Sequence, residues 1–329
     1  MITVYGTADG HLAPLTWDES APLPATAIWI DLLTPTAAEE EAVERISGID
    51  LPTQAKLQEI EMSSRLYQEG NARYMAATVM SKADEPHAEA EAIAFVVCPP
   101  LLITLRYSDP FAFSAFATRA MRQTGLVEGG GETIFAGLLE AIVDRAADIL
   151  EHVTMDLDRL SREVFRARID KATGRILPGM DLEEAVRRLG RSEDLTSKVQ
   201  DSLSSITRLL TFFGVSMASE VKKDYKARLK IIARDAHSIQ EHATSLAQKG
   251  NFLLDATLGL INIQQTKIIK IFSVASVVFL PPTLIASIYG MNFKLIPELN
   301  LSLGYPMAIA MMIASAALPY FYFKRKGWL

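Results

Sequence analysis

The sequence has one cysteine, five histidines and no glycine-rich phosphate-binding loop, and each scarcity excludes a class of function. Cys98 has no second cysteine with which to form an internal disulfide or a zinc cluster. The histidines, at positions 11, 87, 152, 237 and 242, lack the spacing of metal ligands. Because no catalytic constellation and no phosphate loop occur, we expect neither an enzyme nor an ATP-driven pump, and no organic cofactor.

The first residues, MITVYGTADGHL, also lack the basic segment and apolar core of a secretory signal. We therefore expect the N-terminal part of the chain to stay in the cytoplasm. The net charge is −6, but after Thr266 there are six basic residues and one acidic residue, so the acidic excess lies in the first 266 residues. An acidic surface disfavours nucleic acid as a partner.

Charged residues are absent from Ile271 to Phe293 and again from Asn300 to Phe323. Each stretch is long enough to cross a hydrocarbon core of roughly 30 Å. Lys267 and Lys270 precede the first stretch, and the basic segment 324–326 follows the second. Since basic residues concentrate on the cytoplasmic side, the sequence predicts two helices that cross a membrane and contact its lipid, with both termini cytoplasmic.

A stripe of small, mostly hydroxylated side chains runs along the first of these stretches. Steps of three and four residues select Thr266, Ile269, Ser273, Ser276, Leu280, Thr283, Ser287 and Gly290. On a helix these positions share one face. In a membrane such a face contacts neighbouring helices or lines water, and the residues alone leave both interpretations open.

The N-terminal region, residues 1–130, reads as an α/β domain, so the predicted fold class is α+β with at least five strands. Alternating or apolar runs predict strands at Ala27–Leu33, Arg73–Met80, Ala92–Cys98 and Leu101–Tyr107. Short helices are predicted after Pro35 and over Leu51–Ile60.

The remainder of the chain has helical periodicity. A cytoplasmic helical hairpin is predicted over 131–219, with one helix from Glu132 and a second from an Asp181 cap to about Phe213. A stalk helix over 220–266 then continues into the first membrane helix, since no proline occurs between Glu220 and Pro281. An isolated helix of this length is marginal, which favours an oligomer. The predicted remaining parts are a first membrane helix at 267–290, a loop on the far side of the membrane at 291–300, a second membrane helix at 301–323 and a basic tail at 324–329.

Several motifs around the two uncharged stretches resemble one family. They are Tyr289-Gly290-Met291-Asn292-Phe293, Pro297-Glu298-Leu299, Gly304-Tyr305-Pro306 and the end Lys324-Arg325-Lys326-Gly327-Trp328-Leu329. Upstream, Asn251–Asp255, Ile268–Ser273, Trp29–Leu32 and Leu101–Arg106 fit the same pattern. The chain therefore resembles, over its whole length, the CorA family of magnesium transporters.

The resemblance implies a funnel-shaped homopentamer in which five first membrane helices line a pore and the second helices pack outside them. The stripe from Thr266 to Ser287 would line the pore, with Thr266 where many members have Asn. Gly290, Met291 and Asn292 would form the ion selectivity filter at the outer mouth. The related ZntB branch usually has a different residue at the position of Met291, so the intact motif favours the magnesium branch.

Some of these residues also have a simpler interpretation. Gly290 and Asn292 are residue types that end helices. Glu298 would gather cations at the periplasmic mouth, or it is an ordinary exposed loop residue. Ile269 and Leu280 would form apolar constrictions that gate by dewetting, or they simply pack in the membrane.

Asp255 matches the regulatory acid of the family, which implies that it holds Mg²⁺ between subunits and keeps the pore closed. Asp235, twenty residues earlier, is a candidate partner. The acidic run in the first domain offers other partners, at Asp84, Glu85, Glu89 and Glu91.

The resemblance thus implies a channel-like transporter for Mg²⁺, and also for Co²⁺ or Ni²⁺, driven by the membrane potential and gated by intracellular Mg²⁺. A zinc transporter of the same fold is one alternative. A membrane-anchored cytoplasmic sensor or scaffold, in which the stripe serves only to join the membrane helices, is another.

Overall fold

A computed structural model describes residues 1–18, 21–59, 61–85, 88–165, 181–216, 223–292 and 303–328. These residues form two compact units, Met1–Leu253 and Leu254–Leu329. The first unit contains the described strands and most of the helices. The second contains the C-terminal part of one long helix and a further helix.

The described strands of the first unit form one seven-stranded mixed sheet. The strands are β1 Ile2–Ala8, β2 His11–Leu15, β3 Ala27–Leu33, β4 Leu66–Glu69, β5 Ala72–Ser81, β6 Glu89–Cys98 and β7 Leu101–Arg106. Their spatial order is β2-β1-β3-β7-β6-β5-β4. The β3–β7 pair is parallel, whereas the other pairs are antiparallel. Short turns suffice for the antiparallel neighbours, but a parallel pair needs a long crossover, which here includes β4, β5 and β6.

Helices cover both faces of this sheet, so its central strands are apolar on both sides. Ile30 and Leu32 point to the face that packs against Val43 and Leu57. Trp29, the residue before Ile30, points to the opposite face, toward Phe113 and Phe116. There an aromatic chain joins strands to helices: Phe95 lies 5.6 Å from Phe135, and Phe135 lies 4.9 Å from Phe213, measured between ring centroids.

The helices on the first face are short. They are α1 Ala37–Ser47, α2 Gln54–Gln58 and α3 Met62–Arg65. Thr36 begins α1 in a capping box: its Oγ1 accepts from the Glu39 N–H, and the Glu39 carboxylate accepts from the Thr36 N–H. Gly48 ends α1 with a φ of 66°, a left-handed conformation that glycine adopts most readily.

The other face is covered by α4 Phe111–Arg122, α5 Gly131–Phe165 and α6 Leu182–Ser216. Phe135 at the start of α5 contacts Phe213 near the end of α6, so these two helices are antiparallel. A Cβ at Gly137 would overlap the ring of Phe116. The absence of a side chain at Gly137 therefore lets α5 lie close to α4.

A 67-residue helix, α7 Lys223–Tyr289, begins in the first unit and is joined to α5 there. The Tyr225 hydroxyl donates to the carbonyl of Glu132 at 2.7 Å. Further along, Lys249 Nζ lies 2.5 Å from the Asp158 carboxylate. The later contact lies further along both helices than the earlier one. This part of α7 therefore runs parallel to α5.

The second unit contains the C-terminal part of α7 and α8 Gly304–Arg325. Both helices contain segments that are long and apolar enough to cross a membrane. Only 6% of each such segment is buried, whereas the core helix of a soluble protein would bury most of its apolar surface. This exposure favours membrane helices.

The structure confirms the predicted α+β class and the strand Ala27–Leu33, and it places the other three predicted strands within three residues of β5, β6 and β7. Three strands, β1, β2 and β4, and the helix α4 were missed. The helix expected over Leu51–Ile60 is confined to Gln54–Gln58, and α6 continues three residues beyond Phe213. Asp181 accepts from the Glu183 N–H at 3.0 Å, which confirms its capping role.

Candidate ion pathway

The predicted stripe occupies an exposed side of α7. Ile269 and Leu280 are 63% and 66% exposed, and Thr266, Ser273, Ser276, Thr283, Ser287 and Gly290 are also exposed. A different side of the helix is covered within this unit, where Val274 is 4% exposed. The covered side continues through half-buried Ala275, Val278, Pro281, Pro282, Ile285 and Tyr289. The stripe is therefore separate from the face that packs within one chain.

Hydroxyl groups of the stripe are satisfied by their own helix. Thr266 Oγ1 donates to the Asn262 carbonyl at 2.8 Å, and Ser276 Oγ donates to the Phe272 carbonyl at 2.9 Å. Thr283 Oγ1 donates to the Phe279 carbonyl at 2.7 Å. Each hydroxyl oxygen keeps lone pairs that can accept a hydrogen bond from water. These three hydroxyls therefore do not need a neighbouring helix as an acceptor.

Two consecutive prolines, Pro281 and Pro282, lie inside α7 beside the stripe. Proline has no N–H, so the carbonyls of Val277 and Val278 lose the donors that a regular helix would supply four residues later. In a membrane such carbonyls are tolerated where protein or water satisfies them. These two free carbonyls were not predicted, although the Pro-Pro pair within the uncharged stretch is their direct signal.

The motif Gly290-Met291-Asn292 follows the last helical residue, Tyr289. The Gly290 N–H donates to the Ala286 carbonyl at 2.9 Å. Gly290 has no left-handed φ, so the helix does not end in the left-handed glycine turn that commonly closes helices. Met291 and Asn292 are exposed. Glu298 lies outside the described residues.

The proposed regulatory acids are not assembled into a metal site among the described residues of one chain. Asp255 is exposed on α7. The Asp235 carboxylate, 53% exposed, has Arg234 at 3.8 Å. In the acidic run, Asp84 pairs with Arg145 at 2.6 Å and Glu89 pairs with Lys82 at 2.9 Å. The predicted pairing of Asp255 therefore stays a prediction.

A row of acids on α5 is an electrostatic feature that was not predicted from the sequence. Glu140, Asp144 and Asp148 follow each other at four-residue spacing and so share one helix face. Burial, and then repulsion from Glu140, raise the pKa of Asp144, while Arg119 opposes this effect. Arg228 Nη2 contacts the Glu140 carboxylate at 2.6 Å. The four-residue spacing of these three acids was the feature of the sequence from which the row could have been predicted.

Together these features define a membrane protein with an N-terminal α/β domain and two C-terminal membrane helices, the first of which carries an exposed polar stripe. Residues 24–325 match the family model described as CorA-like Mg²⁺ transporter protein. The chain therefore belongs to the CorA family, which confirms the resemblance seen in the sequence. Members of this family are ion transporters and not enzymes.

Relatives are similar to the chain over its whole length. The magnesium transport protein CorA of Haemophilus influenzae is 37% identical over 329 residues, covering 100% of both chains. The complete structure of the CorA magnesium transporter from Methanocaldococcus jannaschii is 18% identical with a TM-score of 0.75, covering 100% of this chain and 99% of that one.

A third similarity limits what the fold alone can decide. The ZntB cytoplasmic domain from Vibrio parahaemolyticus is 9% identical with a TM-score of 0.60, and the match covers 79% of this chain and 97% of that domain. The same fold therefore occurs in proteins with different names and does not by itself select the ion.

Proposed function

We propose that this chain is one subunit of a homopentameric Mg²⁺ transporter in a bacterial inner membrane. The observation that carries the proposal is the exposed polar stripe of α7, which leads to Gly290-Met291-Asn292. Full-length similarity to a protein named as a magnesium transport protein supports the choice of ion. Five stripes facing a common axis enclose a hydroxyl-lined path, and α8 lies between this ring and the lipid.

The filter chemistry follows from the reluctance of Mg²⁺ to lose its water. The ion requires octahedral oxygen coordination and usually keeps several waters. Amide oxygens of Asn292 and backbone carbonyls of Gly290 accept hydrogen bonds from those waters without binding the metal directly. A ring of carboxylates would bind the ion more tightly and release it more slowly, which opposes conduction.

The driving force in this proposal is the membrane potential. An ion of charge +2 that enters a cell with a negative interior gains about 4.6 kcal/mol per 100 mV, twice the value for one elementary charge. Co²⁺ and Ni²⁺ share the charge and pass by the same path. Both termini lie on the cytoplasmic side because Lys267, Lys270 and the basic segment 324–326 flank the helices there.

Regulation in this proposal uses Asp255. Its exposure on α7 makes its carboxylate accessible to an acid of the neighbouring subunit, and bound Mg²⁺ screens the repulsion between the two. When cytoplasmic Mg²⁺ falls, the like charges separate and the apolar rings of Ile269 and Leu280 open. Asp235 is the candidate for a second regulatory ligand.

The test is ion flux into vesicles that contain the purified full-length protein. Mg²⁺, Co²⁺, Ni²⁺ and Zn²⁺ are measured side by side, with the parent, Asn292→Ala and the control Gln264→Ala, which alters an exposed amide of α7 away from the stripe. We expect Mg²⁺ entry that Asn292→Ala abolishes and Gln264→Ala preserves, at an unchanged mass of five subunits.

Other outcomes identify the alternatives. Unchanged flux in Asn292→Ala contradicts the filter assignment. Zn²⁺ entry without Mg²⁺ entry supports a zinc transporter of the same fold. An intact oligomer that passes none of the four ions supports a sensor or scaffold, and a mass other than five subunits contradicts the pore geometry.

A further inference from the structure

The C-terminal end of α8 is closed by a Schellman motif around Gly327, which has a φ of 71°. The Gly327 N–H donates to the Lys324 carbonyl at 3.2 Å, and the Trp328 N–H donates to the Phe323 carbonyl at 3.1 Å. A side chain at position 327 would disfavour this left-handed turn. Glycine therefore lets the chain turn back toward the last turn of α8.

The turn places the Trp328 indole between two elements. The indole stacks on Phe323 of α8, with 5.2 Å between ring centroids and 30° between ring planes. It also contacts α7, because Lys270 Nζ lies 5.7 Å from the centroid of the Trp328 ring. The indole thus brings a cation of α7 to the basic end of α8.

Two further ammonium groups lie over aromatic rings at this end. Lys324 Nζ is 6.0 Å from the ring centroid of Tyr320, and Lys326 Nζ is 5.5 Å from that of Tyr322. Attraction to a ring face holds an ammonium group in place but leaves N–H donors available for oxygen ligands. Each of the three lysines at this end of the second unit therefore has an ammonium group held over an aromatic ring.

This end of the molecule has little negative charge of its own. In residues 266–329 the sequence contains one acid, Glu298. Across the described residues of 254–328, no carboxylate pairs with Lys270, Lys324 or Lys326. All three lysines are exposed. The cluster is therefore complementary to an anion that comes from outside the chain.

We propose that Lys270, Lys324, Lys326 and Trp328 bind the headgroup of an anionic phospholipid in the cytoplasmic leaflet. The proposal rests on the membrane insertion and topology given above, but not on Mg²⁺ transport. Tyrosine and tryptophan favour the level of the headgroups, where the phosphate of a lipid lies beside the end of α8. A zwitterionic lipid offers the same phosphate but adds a positive charge, which the lysines repel.

The experiment uses contact quenching of tryptophan fluorescence. Full-length protein is placed in vesicles of phosphatidylcholine and phosphatidylglycerol, with brominated acyl chains on one lipid or on the other at equal mole fractions. Trp328→Phe supplies the background from Trp17 and Trp29. We expect brominated phosphatidylglycerol to quench Trp328 more strongly than brominated phosphatidylcholine, and this preference to weaken as salt is added.

Two charge variants distinguish a local site from general attraction. Lys270→Gln and Lys326→Gln should each reduce the preference for phosphatidylglycerol about fivefold. Lys230→Gln, an exposed lysine of the first unit, changes the net charge equally and should leave the preference intact. Equal quenching by the two brominated lipids in the parent protein overturns the proposal, as does an equal loss of preference in all three variants.

Two measurements on the same vesicles separate this proposal from the proposed function. Flotation tests insertion, and protein that does not float with the vesicles overturns both proposals. Protein that floats, prefers phosphatidylglycerol and passes no Mg²⁺ contradicts only the transport function. Protein that floats and passes Mg²⁺ without any lipid preference contradicts only the lipid site.

Discussion

Arg106 and Asp31 form a buried ion pair between the neighbouring parallel strands β7 and β3. Arg106 Nη2 donates to Asp31 Oδ2 at 2.8 Å, and the two side chains are 8% and 7% exposed. The second carboxylate oxygen accepts from Thr104 Oγ1 at 2.7 Å, and Thr104 in turn accepts from Trp29 Nε1 at 2.9 Å. Arg106 Nη1 contacts Asp109 at 2.5 Å, just before α4. The network thus connects the parallel strands β3 and β7 to the segment that leads into α4.

Arg106→Met should therefore lower the free energy of unfolding by about 3–5 kcal/mol, because it leaves the Asp31 carboxylate buried without its partner. The measurement is denaturant unfolding of the purified full-length protein with Trp17 and Trp328 replaced by Phe, so that the fluorescence reports Trp29. Arg122→Ala is the control, since Arg122 is exposed at the end of α4 and should cost less than about 0.5 kcal/mol. Equal effects of the two variants would show that the pair is not needed for stability.

Gly137→Ala should destabilise the protein by about 1–3 kcal/mol, because the new methyl group would overlap the ring of Phe116 and force α5 away from α4. Gly190→Ala is the matched control within α6, since nothing lies within 4 Å of a Cβ built there. That variant should instead stabilise by about 0.5–1 kcal/mol through helix propensity. Thermal unfolding of both variants checks the opposite signs, and a shared sign would contradict the close approach.

Asp144→Asn should stabilise the folded protein at neutral pH by about 0.5 kcal/mol, a small value because the carboxyl is only partly desolvated and solvent screens its charge. Burial and Glu140 raise the pKa of Asp144, so the folded state favours the protonated carboxyl. The stability that this protonation contributes is complete below the unfolded pKa and is lost as the pH rises through the folded pKa.

The advantage of Asp144→Asn should accordingly shrink as the pH falls through the raised pKa of the parent. The measurement is the unfolding midpoint of parent and variant across the acid range. Glu151→Gln, also exposed on α5, controls for the change in net charge. An advantage of Asp144→Asn that does not depend on pH would contradict the titration.

Leu280→Ser should increase Mg²⁺ entry into vesicles when cytoplasmic-side Mg²⁺ is high, because a hydroxyl ring no longer expels water from the closed path. A barrier lowered by about 1.4 kcal/mol corresponds to about tenfold faster entry. Ile271→Ser serves as the control, since nine helical steps place position 271 on the opposite side of α7 from position 280. If both variants leak equally, the serine weakens the membrane helix and Leu280 is not a gate.

Asp255→Ala should weaken closure of the transporter by Mg²⁺, because it removes the carboxylate that we propose binds the regulatory ion. Limited proteolysis with and without Mg²⁺ measures this effect, since the closed parent should be protected at high Mg²⁺. Asp224→Ala, an exposed acid in the first turn of α7, should keep the parent response. Equal protection of Asp255→Ala and the parent would remove Asp255 from the regulatory site.

The fold was predictable where local chemistry and periodicity agree. Ala27–Leu33 is a buried, β-branched and aromatic run between turn residues, and it forms β3 with the predicted bounds. The helix after Pro35 was predictable because acids in its first turn follow a proline, and the structure adds a capping box between Thr36 and Glu39. The strands β2 and β4 were missed because they are short, and β1, although as long as β3, was missed because it is only partly buried. The pairing of all three depends on neighbours that only the folded sheet supplies.

The candidate site also contains features that could be predicted from the sequence and features that required the structure. The stripe on α7 could be found from sequence because residues three and four apart share a helix face wherever that helix lies. Its separation from the covered face at Val274 required the structure. The contact of Lys270 with Trp328 also required it, because 58 residues separate the two and no local pattern relates them.

The sequence by itself determined the two uncharged helices, the polar stripe, the basic flanks and the family motifs, because each depends on residue type and spacing along one element. The tertiary structure alone decided the strand order, the enclosure of the Asp31–Arg106 pair, the close approach at Gly137 and the aromatic–basic cluster at the end of α8. Those features depend on contacts between residues far apart in sequence, whose free energy is gained only when the chain has folded.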